Sequence, residues 1–561
     1  MKTPLIYPLF FVCVVFMGLN MSCFAQQDTL KYWIQFTDKS SSIYEVSQPQ
    51  EFLSPRAIAR REKNNIPITE QDFPVNQNYI DSLLQFESVK VWNTSRWFNA
   101  VTISCWDTND INIIKQFPFV AQSQIVLRQK VIGSEDKFEI LEEELSTKSA
   151  PILSVTPKYP YGFTYNQNHL HKIDFLHEMG YFGEGMHIAV IDSGFEFVHG
   201  MRCFDHLFDE GRLLSTKDFV DHDGDVFWDH FHGTVVLSTM AAVIPGRYFG
   251  VAPKASYHLL RSEAVAYEHI VEEDNWIAAA EYADSAGVDI INTSLGYTVF
   301  DDSTQNHTYA DLNGNTTRIA QAANIAANKG ILLVTSAGNK GMTEWQYIST
   351  PGDASLTLTV GAVDSSGVYA PFSSVGPNSA GELKPNVASV GWNCYVVLPW
   401  DEGITSANGT SFSSPMVAGM SAVLWEALPQ LNNFEIKALI ESVGHQFDNP
   451  DTLLGYGIPD FYEALKNTTG ITYPILEGIE LLSHFPNPFV DEINLTIRSD
   501  RDQNAICIFY DAKGKELHQE IVQLERGVNL IEIKNFVYAQ GLLFLKIQDE
   551  LGKEIVVKLV R

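Results

Sequence analysis

Of four short, largely apolar runs, His187 to Ile191, Val288 to Asn292, Ile331 to Thr335 and Leu356 to Val360, the first three lack a regular alternation of apolar and polar residues. A strand with one wet face alternates with a period of two, so runs that are apolar throughout are strands buried on both sides. Between them lie stretches of helical texture, most clearly Trp276 to Ala286, Arg318 to Lys329 and Ser414 to Leu428. Strands and helices in alternation build a parallel sheet with helices on both faces. This α/β texture runs from Gly185 to about Leu465, within a domain expected at 158–466. Such a sheet carries its chemistry at the carboxyl ends of its strands.

The flanks read differently. Residues 26–131 follow a βαββαβ order, with strands at Tyr32 to Phe36, Ser88 to Asn93, Phe98 to Cys105 and Ala121 to Gln129. A helix opens at Ser54-Pro55, a serine cap followed by proline at the first helical position. That order is ferredoxin-like. Residues 132–157 form an acidic linker, with Glu142-Glu143-Glu144 at its middle and a processing site expected within it. A second linker is expected at 467–483, and 484–561 reads as six short strands with hairpin glycines at Gly514 and Gly552, a small all-β sandwich.

Met1 to Ala25 has the form of a signal peptide, with Lys2, an apolar run from Leu5 to Leu19, and Cys23-Phe24-Ala25 at the cleavage end. No later run approaches the length of a spanning helix, so no transmembrane segment is expected in the mature chain. Export permits disulfides, and whether Cys203 meets Cys394 is open at this level. With 38 Lys and Arg against 68 Asp and Glu, the chain carries a formal charge of −30. A surface this acidic repels phosphate backbones and anionic lipid, which argues against nucleic-acid partners.

Three polar residues stand where the sheet wants its chemistry. Asp192 ends the run from His187 and is followed by Ser193-Gly194. His232 lies in His232-Gly233-Thr234, ahead of a helix expected to begin around Val235. Ser411 lies in Gly409-Thr410-Ser411-Phe412-Ser413-Ser414-Pro415, ahead of the longest apolar helix. A serine hydroxyl is inert unless a base takes its proton, and an imidazole, ordinarily near pKa 6.5, suits that task at neutral pH. A carboxylate then fixes the imidazole tautomer. The order Asp, His, Ser and the lack of a GxSxG elbow speak against an α/β-hydrolase esterase.

The stretches AVIDSG, HGT and GTSFSSP, with TSLG at 293–296 and SAGN at 336–339, resemble the subtilisin-like serine peptidases. The ferredoxin-like unit is similar to the inhibitory propeptide of that family. The tail, which opens His484-Phe485-Pro486-Asn487-Pro488-Phe489 and contains Gly541 to Ile547, resembles the C-terminal sorting domain of the type IX secretion system of Bacteroidetes. The resemblance implies a subtilisin-like sheet between propeptide and sandwich, and a serine endopeptidase delivered through the periplasm to the cell surface or beyond. Its partners would be protein or peptide substrates, its own propeptide as inhibitor and the type IX machinery.

By the same resemblance, Asn339 and the Ser411 backbone N–H would bind the oxyanion. Ser294, Leu295 and Gly296 would flank the substrate with Ser336, Ala337 and Gly338, leaving a pocket open to a large apolar side chain. Val235 and Met416 depart from the family pattern, where histidine is common. A catalytically silent surface-binding relative is the alternative, but such proteins usually lose a triad member and none is lost here. Catalysis would require no cofactor. Structural calcium occurs in many subtilases, and Asp221, Asp223 and Asp225 crowd one loop, but glycine falls at its fourth position instead of the sixth, so this is not an EF-hand and reads first as a solvated turn. Glu263 and Glu268, ahead of the helix near Glu273, are candidates for an acidic rim to the cleft.

Overall fold

The computed structural model describes residues 30–128, 161–469, 478–485, 489, 492–499, 501–525, 527–534 and 541–561. The expected signal peptide, the acidic linker at 132–157 and residues 486–488 of the tail's opening lie outside the described residues.

The N-terminal unit runs β1 (Leu30–Phe36), α1 (Pro55–Lys63), α2 (Gln77–Leu83), β2 (Val89–Ser95), β3 (Ala100–Cys105), α3 (Thr108–Ile114) and β4 (Val120–Leu127). Its antiparallel sheet is ordered β2-β3-β1-β4, the ferredoxin-like arrangement. Ser54 caps α1 as expected, its hydroxyl accepting from the Ala57 N–H at 3.1 Å. The extra helix α2 starts at Asn76, whose side-chain oxygen accepts from the Asn78 N–H.

The central unit supplies β5 (His187–Asp192), β6 (Leu213–Asp218), α4 (His232–Ala241), β7 (Ser256–Arg261), α5 (Val271–Ala286), β8 (Ile290–Thr293), α6 (Arg318–Asn328), β9 (Leu332–Ser336), β10 (Leu358–Val363), β11 (Val387–Val390) and α7 (Thr410–Ala427). The seven strands are ordered β11-β10-β9-β8-β5-β7-β6, and each neighbouring pair is parallel. The missing alternation now has its cause. Ile188 and Val190 enter one core with Val236 of α4 and Val417 of α7. Ala189 and Ile191 enter the other with Trp276 of α5 and Ile319 of α6. Each fully buried aliphatic side chain contributes about 1.5–3 kcal/mol.

The second core continues into the N-terminal unit through Trp33, Trp97 and Val126. At that junction three arginines converge on one buried carboxylate: Arg60, Arg61 and Arg96 reach Asp284 at 2.5, 2.7 and 2.9 Å. The guanidinium of Arg60 also donates to the carbonyls of Val288 and Lys329, beyond the ends of α5 and α6.

The C-terminal unit holds β12 (Ile479–Phe485), β13 (Glu492–Ser499), β14 (Gln503–Asp511), β15 (Glu516–Leu524), β16 (Gly527–Lys534), β17 (Leu542–Asp549) and β18 (Glu554–Val560). They form two antiparallel sheets, β12-β13-β16 and β15-β14-β17-β18, around Leu495, Cys507, Phe509 and Leu545. Strand β12 starts inside the stretch expected to be linker, because it pairs with β13 along its length. Cys105, Cys203, Cys394 and Cys507 are all buried free thiols, so Cys203 and Cys394 are not joined. Among the described residues no helix is long and apolar enough to cross a membrane.

Candidate active site

Asp192 closes β5 fully buried, and the chain turns at once through Ser193-Gly194. A Cβ on Gly194 would lie 2.6 Å from the His230 nitrogen, and one on Gly233 would lie 2.3 Å from the Gly194 carbonyl oxygen. Only glycine fits at either place, so the two motifs interlock backbone against backbone. The result brings His232 Nδ1 to 2.7 Å from Asp192 Oδ1. The same oxygen accepts the Ser193 N–H at 2.8 Å. With Nδ1–H committed to the carboxylate, Nε2 keeps the lone pair a general base needs. His232 is itself the first residue of α4; the helix does not wait for Val235, because the Thr234 and Val235 N–H groups already bond the Phe231 carbonyl.

Ser411 is the second residue of α7, inside the helix rather than ahead of it. Four residues on stands Pro415, which has no N–H to give the Ser411 carbonyl. Ser294 Oγ fills the gap and donates to that carbonyl at 2.9 Å. Ser294 Oγ accepts in turn from Asn292 Nδ2 at 3.2 Å, and Asn292 Oδ1 accepts from Ser414 Oγ at 2.9 Å. This ring of polar groups pins the start of α7 to the end of β8. The half-buried Ser411 hydroxyl donates to the Ser294 carbonyl at 3.4 Å. Its neighbour Phe412 lies 6.5 Å, ring centre to ring centre, from His232, so the starts of α4 and α7 lie close together.

Asn339 is held by Thr410. The Gly338 N–H donates to Thr410 Oγ1 at 3.1 Å, and that hydroxyl donates to Asn339 Oδ1 at 2.9 Å, alongside the Thr410 N–H at 2.9 Å. Two donors on Oδ1 fix the amide orientation and turn Nδ2 outward. A Cβ on Gly409 would sit 3.5 Å from that nitrogen. Thr410, Asn292 and Ser414 were missed by sequence reasoning, although Thr410 directly precedes the candidate nucleophile.

Of the expected substrate segments, Ser294, Leu295, Ser336 and Ala337 are buried, Gly338 is half-buried and Gly296 is exposed. The Leu295 side chain belongs to the same buried core as Trp276 and Ile319. Ser349 sits between the two segments. A Cβ on Gly296 would come within 2.7 Å of Ser349 Cβ, and one on Gly338, whose φ is 103°, within 2.9 Å of Ser349 Oγ.

The expected acidic rim is revised at Glu263. Glu263 is 2% exposed and accepts the Tyr297 hydroxyl, so it points inward. Burial first, and the Glu263 charge second, push the Tyr297 phenol up. Among the described residues, Glu263, Glu268 and Glu272 are the carboxylates whose oxygens converge within 4.8 Å. Glu272 accepts the N–H groups of Ala264 and His269, which ties the loop to the start of α5. Asp221, Asp223 and Asp225 do not converge. Asp221 pairs with Arg261 at 2.8 Å, while Asp223 and Asp225 accept the N–H groups of Asp225 and Phe227.

A family model described as the subtilase family matches residues 183–457, and one described as the peptidase S8 propeptide domain of Bacteroidota matches residues 31–139. The chain is 30% identical over 289 residues to subtilisin DY of Bacillus licheniformis, covering 50% of this chain and 90% of the relative. It is 28% identical over 340 residues to subtilisin NAT of Bacillus subtilis subsp. natto, covering 60% and 78%. The crystal structure of MycP1 from Mycobacterium smegmatis is similar at a TM-score of 0.43 and 22% identity, covering 57% of this chain and 88% of that one.

Proposed function

Because the chain belongs to the subtilase family of serine peptidases, we propose that it is a secreted endopeptidase acting through Asp192, His232 and Ser411. The 2.7 Å bond between His232 Nδ1 and Asp192 Oδ1, at the carboxyl edge of the sheet, carries this reading. Ser411 Oγ attacks the scissile carbonyl while His232 Nε2 takes its proton. The oxyanion receives hydrogen bonds from Asn339 Nδ2, whose amide Thr410 holds, and from the Ser411 N–H. His232 then protonates the leaving amine, and water releases the acyl group by the reverse route. Asp192 holds the imidazole and stabilises its charged form.

The substrate would lie extended between 294–296 and 336–338, bonding main chain to main chain, with a large apolar side chain in the pocket between them. The N-terminal unit would act as inhibitor, a role supported by its burial against α5 and α6. The C-terminal sandwich would be the type IX sorting element, and the mature enzyme would work outside the cell or on its surface. The chemistry as written needs no cofactor. The test is hydrolysis of casein and of a short-chain ester by the purified chain and its Ser411→Ala variant. Casein cleavage lost in the variant supports the reading, and ester hydrolysis alone contradicts it.

A further inference from the structure

His230, two residues before His232, has no part in the mechanism above, yet it is only 7% exposed and lies against the triad. Its Nδ1 is 3.3 Å from the His232 backbone nitrogen and 3.0 Å from Ser193 Oγ. A backbone N–H can only donate, so Nδ1 must hold a lone pair, and His230 is uncharged with its hydrogen on Nε2. No side chain at the Phe231 cap position accepts from the start of α4. The first N–H groups of a helix lack intrahelical acceptors, and here the His230 ring serves the one on His232 itself.

Ser193 has a single hydroxyl hydrogen and two acceptors, His230 Nδ1 at 3.0 Å and Asp192 Oδ1 at 3.3 Å. The nearer is His230. Asp192 Oδ1 then keeps its strongest interactions for the His232 imidazole and the Ser193 N–H. We propose that His230 is a positioning residue for the peptidase reaction: its Nδ1 lone pair anchors the His232 main chain and draws the Ser193 hydroxyl away from Asp192. Protonation of His230 would set its N–H against the His232 N–H and turn the Ser193 hydrogen onto Asp192 Oδ1. Both changes loosen the pair that makes His232 a base.

The charged and titratable groups around it are Asp192 on β5, His232 on α4, the adjacent Asp229, which pairs with Arg261 of β7 at 3.1 Å, and Glu196, whose N–H bonds the His230 carbonyl. The inference rests on the triad proposed above. Its test uses the full chain with His230→Leu and His230→Asn, the latter offering a carboxamide oxygen to the same two donors. The expected result for His230→Leu is a kcat lowered about 10- to 100-fold with KM little changed, as when a catalytic group loses orientation. His230→Asn should recover most of that kcat at pH 8, and its acid limb should show one ionisation fewer than the wild type. A His230→Leu chain with unaltered kcat, or an Asn variant with the wild-type acid limb, overturns the proposal. If His230→Leu does not fold, the Asn pH profile decides alone. Failure of the triad itself would read differently: the wild type would not react at Ser411 at all.

Discussion

Acid should weaken this fold through two histidines that have no room for a second proton. His177 is wholly buried; its Nε2–H donates to the Val251 carbonyl at 2.8 Å and its Nδ1 accepts the Tyr161 hydroxyl at 2.7 Å. His171 mirrors it, with Nδ1–H on the Pro459 carbonyl at 3.0 Å and Nε2 accepting from Ser389 at 2.8 Å. Burial pushes both imidazoles down from 6.5 to about 4. The unfolded chain therefore binds protons that the folded one refuses, so stability is full above pH 6.5 and lost as pH falls toward 4. For each ring the loss is about 2 kcal/mol at pH 5 and approaches about 3 kcal/mol below pH 4. Asp229 and Asp274, both raised to about 6 chiefly by desolvation, act with the opposite sign. The total slope is thus a difference, and a variant must isolate one ring. The assay is urea unfolding of the Ser411→Ala chain with and without His177→Gln, following the peptidase-domain transition at pH 7.5 and pH 5. The parent should lose about 2 kcal/mol more than the His177→Gln chain over that interval. Equal losses in the two chains would refute the reasoning.

Three further outcomes are expected. Asn339→Ala should lower kcat by about 10²–10³ with little change in KM, read by steady-state hydrolysis of a peptide amide. Arg60→Ala leaves a carboxylate shared by three arginines partly unpaired at the junction; breaking such buried pairs costs about 3–5 kcal/mol, so the N-terminal unit should separate from the rest more readily after cleavage, as read by size-exclusion chromatography. Removing residues 478–561 should leave casein hydrolysis intact but hold the enzyme in the periplasm, read by cell fractionation.

The central sheet was legible because burial on both faces erases alternation, a signal that Ile188 to Ile191 carry within four residues. The Asp192 and His232 motifs were legible because their glycines answer local steric demands, at Gly194 and Gly233, that no other residue meets. Helix starts at His232 and Thr410 were placed late, since glycine and serine near them have low helix propensity and tertiary contacts override it. The ring through Asn292, Ser294 and Ser414 joins residues more than a hundred positions apart, and no local pattern announces it. Glu263 was misplaced because its partner, Tyr297, lies 34 positions on, beyond the end of β8, where no local pattern shows it. The acidic loop at Asp221 to Asp225, read first as a solvated turn, has its carboxylates on turn N–H groups and on Arg261.

The account turns on Ser411 being the nucleophile. The most direct measurement is reaction of the purified wild-type chain with a serine-directed fluorophosphonate, followed by peptide mapping of the adduct. The account predicts a single labelled site at Ser411. An adduct at Ser294, Ser336 or Ser413, with Ser411 unmodified, would contradict it.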